Sequence, residues 1–273
     1  MSIKLIATDL NGTLLRADQS FDQARFKRVL NGLKRLNIPL VLSSGNQYAH
    51  LQQLFADVLA DNLVMVAENG ASIYAQGQQI FDGSLTAEQQ HHFVTVDRFQ
   101  DLFKHAYLIL VGSHGSYTEK GAPAKLVAMA RQFYDHLQLV ENLDTVDDRI
   151  KKISVSTMPA AAATLVEQLN AYFDGQLRAH DSGYGVVDLV GQHVGKLPAI
   201  QFLAQRWGLN ADEVMAFGDG ANDVPLLKYA THSYAMVNAP AEVQAVANHV
   251  TALDNEHAGV LATIEELVLG KTN

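Results

Sequence analysis

The chain contains no cysteine, which removes disulfides, thiolate metal ligands and thiol nucleophiles, and fits a reducing cytoplasm. Clustered positive charge is missing as well. With 20 Lys and Arg against 29 Asp and Glu the net charge is −9, and the longest basic run is Lys151-Lys152, so nucleic acid is not an expected partner. No stretch approaches the roughly 18 unbroken apolar residues of a membrane span. Met1-Ser2-Ile3-Lys4 leads into an apolar strand without the basic start and apolar core of an export signal, so a cytoplasmic location is expected. An acidic chain that binds an anion must do so locally, with a cation, a lysine or a nest of backbone N–H groups.

At 273 residues and 48% hydrophobic, the chain is sized for one core with an inserted module. Phe26, Val29, Leu30, Leu33 and Leu36 form a helical stripe across residues 20–37, with Ser20 and Gln23 spaced as a capping box. Apolar runs at Leu40–Leu42 and Leu63–Ala67, separated by a helical segment over 48–59, give the order β-α-β-α-β. Strands without alternation between helices indicate a doubly wound parallel sheet covered on both faces, an α/β fold. A hairpin is expected over residues 72–81, turning at Gly77.

A second module is predicted over residues 84–183, leaving 1–83 and 184–273 as the core. It contains a helix over 86–103, strands at 107–111 and 153–156, and helices over 123–134 and 159–173. The Gly, Ser and Asp cluster at 180–185 is read as the return to the core. Beyond it, helices are expected at 197–207, 224–229, 240–247 and 259–269, with strands at 214–217 and 234–237.

Two strand ends carry the chemistry. Ile6-Ala7-Thr8 runs into Asp9-Leu10-Asn11-Gly12-Thr13, and Val214-Met215-Ala216-Phe217 runs into Gly218-Asp219-Gly220-Ala221-Asn222-Asp223. In an open parallel sheet, ligands bind beyond the carboxyl ends of the strands, so Asp9 and Asp219 can meet at one hard cation. Magnesium suits them, because it takes oxygen ligands, one or two carboxylates and substrate phosphate; Asp223 is a candidate to hold one of its waters.

These two motifs resemble the first and fourth motifs of the haloacid dehalogenase (HAD) superfamily. Ser44 and Lys196 match the second and third, in the family's order, and Glu68-Asn69-Gly70-Ala71 is similar to the Cof-type subgroup of sugar-phosphate phosphatases. The resemblance implies a Rossmann-like HAD core with an inserted α+β cap of the C2 type, and a phosphatase working through an aspartyl-phosphate on Asp9. It further implies Lys196 as the neutralising lysine, Ser44 and Asn222 as phosphate contacts, and Asp9, Asp219, Asp223 and the carbonyl of Asn11 around magnesium. The substrate expected is a small phosphorylated metabolite.

One residue departs from the pattern. Relatives carry an acid/base Asp where this chain has Asn11, so impaired turnover is expected; an engineered trap and a natural departure both fit. A phosphotransferase or mutase, and a non-catalytic phosphate-ligand sensor, are the alternatives. Asn46 stands where many Cof-type relatives carry Arg. His114, Tyr117, His180 and Tyr184, in Gly- and Ser-rich segments, are candidate substrate contacts of the cap. His91-His92 reads as surface, since adjacent helical residues point about 100° apart.

Overall fold

The computed structural model describes residues 3–104, 106–134, 136–183 and 185–270. The chain divides into two compact units, one of residues 1–44, 51–81 and 195–273, the other of residues 45–50 and 82–194. No helix among the described residues is long and apolar enough to cross a membrane.

The first unit is built on an eight-stranded sheet. Its strands are β1 (Leu5–Thr8), β2 (Leu40–Ser43), β3 (Leu63–Ala67), β4 (Ser72–Ala75), β5 (Gln78–Asp82), β12 (Val214–Gly218), β13 (His232–Ala235) and β14 (His249–Val250), in the order β14-β13-β12-β1-β2-β3-β4-β5. The six strands from β14 to β3 are parallel, and β4 turns back antiparallel on β3. Every residue of β1, β2, β3 and β12 is buried, which is why these strands read as unbroken apolar runs. Its helices are α1 (Gln23–Arg35), α6 (Lys196–Trp207), α7 (Val224–Tyr229), α8 (Ala241–Gln244) and α9 (Gly259–Ile264), with α2 (Tyr48–Leu54) divided between the units at residues 50 and 51.

The second unit holds a six-stranded sheet of β6 (Tyr107–Gly112), β7 (Ser116–Glu119), β8 (Leu137–Val140), β9 (Ile150–Ser156), β10 (Leu177–Asp181) and β11 (Val186–Gly191), ordered β10-β11-β9-β6-β7-β8. Its helices are α3 (Ala87–Thr95), α4 (Ala124–Ala130) and α5 (Ala162–Phe173). Phe93 and Val94 of α3 and Leu165, Leu169 and Phe173 of α5 pack in one cluster with Leu110, Ile153, Val155, Val187 and Leu189 of the sheet. Lys152, Ser154 and Asp188 alternate with those apolar residues along β9 and β11, so they lie on the opposite face.

Several local expectations are corrected. Asp22, not Ser20, caps α1, accepting from the Arg25 N–H at 2.9 Å, because Ser20 is still engaged in a turn whose carbonyl receives Arg16 N–H. The helix expected over 86–103 stops at Thr95, and two single 3₁₀ turns follow it. The Gly- and Ser-rich stretch expected to return the chain to the core is a hairpin turn between β10 and β11. Gly183 and Gly185 have φ of 80° and 79°, and the Asp181 carboxylate accepts from Gly183 N–H. β11 pairs with β9 in the second sheet, and the change of unit comes at Val194/Gly195 rather than at 183/184.

Candidate active site

Asp9 leaves β1 with its N–H bonded to the Phe217 carbonyl of β12 at 3.1 Å, which brings the two strand ends side by side. Lys196, the first residue of α6, donates from Nζ to Asp9 Oδ1 and to Asp223 Oδ1, each at 2.6 Å. The Lys196 side chain is 2% exposed, that of Asp223 1% and that of Asp9 12%. Asp223 Oδ2 accepts the N–H groups of Asp219 and Gly220, at 3.1 and 3.0 Å, and so shapes the turn that carries Asp219. Thr13 Oγ1 donates to Asp219 Oδ1 at 2.6 Å. One carboxylate oxygen from each of Asp9, Asp219 and Asp223 lies within 4.8 Å of the others.

Gly12 makes this approach possible. Its φ is 76°, and an added Cβ would overlap the Asp219 carboxylate. Directly after β3, Glu68, Asn69 and Gly70 have φ of 49°, 56° and 99° in succession. Backbone held in this region is strained and persists only where its surroundings fix it. Here the Asn69 N–H bonds to the Ser44 carbonyl at 2.9 Å, and Gly70 lies so close to Gly195 that a Cβ would strike its carbonyl. The turn therefore positions two predicted residues, Ser44 and the start of the Lys196 helix.

Charge is unbalanced at this centre. Burial, with the Asp223 and Asp219 charges against Lys196, raises Asp9 from 3.8 to about 7. Burial also raises Asp219, against the hydrogen bond from Thr13. Lys196 is held above its ordinary value despite burial, because Asp223 and Asp9 favour its charge. Three carboxylates around one ammonium leave an excess of two negative charges among oxygen donors. This arrangement fits a hard divalent cation.

Asn222 lies in the turn before α7, its side-chain oxygen against Gly220. Asn11 is exposed, bridged by its backbone to Leu15. The structure thus gathers Asp9, Lys196, Asp219 and Asp223, with Ser44 buried at the end of β2, the strand beside β1. Asn46 lies in the 45–50 segment, which groups with the second unit.

Of the expected substrate contacts of the cap, His114 and Tyr117 meet at one carboxylate, and His180 lies on another strand. His114, 82% exposed, is held through Nδ1 by Asp148 at 2.9 Å, and Tyr117 donates its hydroxyl to the same carboxylate at 3.0 Å. The Tyr117 ring belongs to the apolar core beneath the sheet, which corrects its reading as a loop contact. His180 lies on β10 opposite Asp188, on a strand rather than a loop. Tyr184 is outside the described residues. Thr13, which the motif contained without a role assigned to it, is the residue the sequence reading missed.

A strand-end carboxylate cluster on a parallel sheet, with a second α+β unit inserted in the chain, marks an α/β protein that carries an inserted cap domain. A family model described as haloacid dehalogenase-like hydrolase matches residues 6–264. The chain belongs to this family, in its Cof-type phosphatase branch, and its two sheets are the HAD core and the C2 cap. It is 31% identical to the 5-amino-6-(5-phospho-D-ribitylamino)uracil phosphatase YbjI of Escherichia coli, over 98% of this chain and 97% of that one. The crystal structure of SMU.1108c from Streptococcus mutans is similar at a TM-score of 0.89 and 33% identity, covering 97% of this chain and 98% of that one. A putative phosphatase of Bacillus subtilis, YxeH, is 24% identical over 98% of this chain and 99% of its own length.

Proposed function

We propose that the chain is a magnesium-dependent phosphatase of small phosphorylated metabolites, sugar phosphates in particular, with Asp9 as nucleophile. The observation that carries this reading is the Lys196 ammonium set between Asp9 and Asp223, with Asp219 beside them. Lys196 engages Asp9 Oδ1, which leaves Oδ2 to attack phosphorus. The bond from phosphorus to the leaving oxygen breaks on the opposite side, that oxygen takes a proton from solvent, and Asp9 carries the phosphoryl group as an acyl phosphate. Water then attacks phosphorus and gives a proton to solvent as the bond from phosphorus to Asp9 breaks, releasing inorganic phosphate and restoring the carboxylate. Lys196 offsets charge on the phosphoryl oxygens throughout, and Ser44 and Asn222 are assigned to hold those oxygens. Magnesium, held by Asp9, Asp219 and the Asn11 carbonyl, with Asp223 behind them, supplies further neutralisation when bound. The E. coli relative is named for a phosphate on a ribityl chain, which supports a sugar or polyol phosphate here.

Asn11 limits turnover. A carboxamide neither protonates the leaving alkoxide nor takes a proton from the attacking water, work typically worth about 10²–10⁴-fold. A screen of phosphorylated metabolites with magnesium, run on this chain and on Asn11→Asp, tests the reading. Phosphate release at least about tenfold faster in the variant is expected; equal rates overturn it. Asn11 also favours a second reading, a sensor that binds sugar phosphates without hydrolysis. Measurable affinity with no phosphate release even in Asn11→Asp would select the sensor.

A further inference from the structure

We propose that Asn238 and Asn255 are positioning residues that clamp the turn after Asp9, an inference that rests on the phosphatase reading above. Asn238 Nδ2 donates to the Gly12 carbonyl at 2.8 Å, and Asn255 Nδ2 donates to the Leu15 carbonyl at 2.9 Å. The Asn255 backbone N–H donates to Asn238 Oδ1 at 3.3 Å, which fixes which way the Asn238 carboxamide faces. The two side chains therefore act as one clamp on both ends of a four-residue stretch, Gly12 to Leu15.

That turn needs holding. Gly12 has no Cβ and a φ of 76°, so the peptide that follows it is free to flip at little steric cost. In the observed orientation its carbonyl meets Asn238 and its N–H, on Thr13, meets the Leu10 carbonyl at 3.1 Å. A flip would break both bonds and carry off Thr13, whose hydroxyl holds Asp219. The clamp reaches the other strand end as well. Two residues before Asn238, the Met236 N–H donates to the Gly218 carbonyl at 3.0 Å, next to Asp219. The segment from Met236 to Asn238 thus joins the turn after Asp9 to the one bearing Asp219, and sets the spacing of the two carboxylates.

Two measurements on the full chain test this, one of them independent of metal. In metal-free protein, hydrogen exchange at the Thr13 amide should be about tenfold faster in Asn238→Ala and in Asn238→Asp, which keeps the side chain's size but loses the donor. By calorimetry, magnesium should bind at least about threefold more weakly to Asn238→Ala and Asn255→Ala. The double variant should lose less than the two single losses combined, because the pair acts as a unit.

Unchanged exchange and unchanged magnesium affinity overturn the clamp, as does an Asn238→Asp variant indistinguishable from the parent. Faster exchange with unaltered magnesium affinity overturns the positioning role. Variants that fail to fold overturn it too, since the pair would then be carrying the fold. If the parent binds no magnesium, the phosphatase reading falls and takes the positioning role with it, while the exchange data still report whether the pair holds the turn.

Discussion

Each unit buries a lysine against an aspartate, and the two pairs differ in their charge balance. In the second unit Lys152 meets Asp188 at 2.7 Å, and Ser154 and Ser182 donate to the same carboxylate at 2.6 Å each. Here a positive charge meets a negative one directly, and Lys152 also donates to the Gly45 carbonyl at 3.2 Å. In the first unit one lysine faces three carboxylates, and Asp9 is pushed up to about 7. A buried pair whose two charges face each other calls for no further ion, although losing one member would strand the other. An unbalanced one is incomplete without a cation or a proton, which is the property a metal-assisted reaction needs.

The largest effect expected is at Asp9, the proposed nucleophile. In the Asn11→Asp background, Asp9→Asn should lower phosphate release by at least about 10⁴-fold, measured in steady state with the best ester from the screen. Residual turnover within tenfold of its parent would remove Asp9 from the chemistry.

The two lysines come next. Lys196→Met should lower turnover by about 10²–10³-fold, and magnesium should raise its thermal midpoint more than it raises the parent's. Lys152→Met should cost about 3–5 kcal/mol in chemical denaturation, because it strands a buried carboxylate, and adding Asp188→Asn should recover most of that loss. Magnesium should give this variant no extra benefit. If both lysines responded alike to the metal, the distinction between the units would fail.

The smallest effect concerns pH. Asp9 titrates near 7 in the metal-free fold and near 3.8 when unfolded, so unfolding between those values releases a proton, and this group's contribution to stability falls as pH rises across the window. Magnesium competes with the same proton. Its affinity should therefore rise with pH from about 5.5 to 7, by up to about tenfold per unit, and less steeply in Asp9→Asn. Calorimetric titrations giving a flat profile for the parent would remove Asp9 from the cation site.

The core was legible because its signals are local. Buried parallel strands read as apolar runs, and the two strand-end acids follow such runs directly, as Asp9 follows Thr8 and Asp219 follows Gly218. The cap was harder to read. β7, β8, β10 and β11 mix polar residues among apolar ones, so the Gly, Ser and Asp cluster at 180–185 read as the return to the core rather than as the turn between Leu177–Asp181 and Val186–Gly191. Tyr117 was misread for the same reason, since nothing near it in sequence marks the apolar cluster that receives its ring.

The sequence by itself determined the fold class, the order of the motifs and the acids that end the two strands, because strand burial and turn chemistry are written within a few residues. Only the tertiary structure decided that one lysine would stand between Asp9 and Asp223, that Thr13 would hold Asp219, and that Asn238 and Asn255 would grip the turn between them. Those contacts join residues far apart in the chain. Their energies depend on distance and burial, which no spacing in the sequence records.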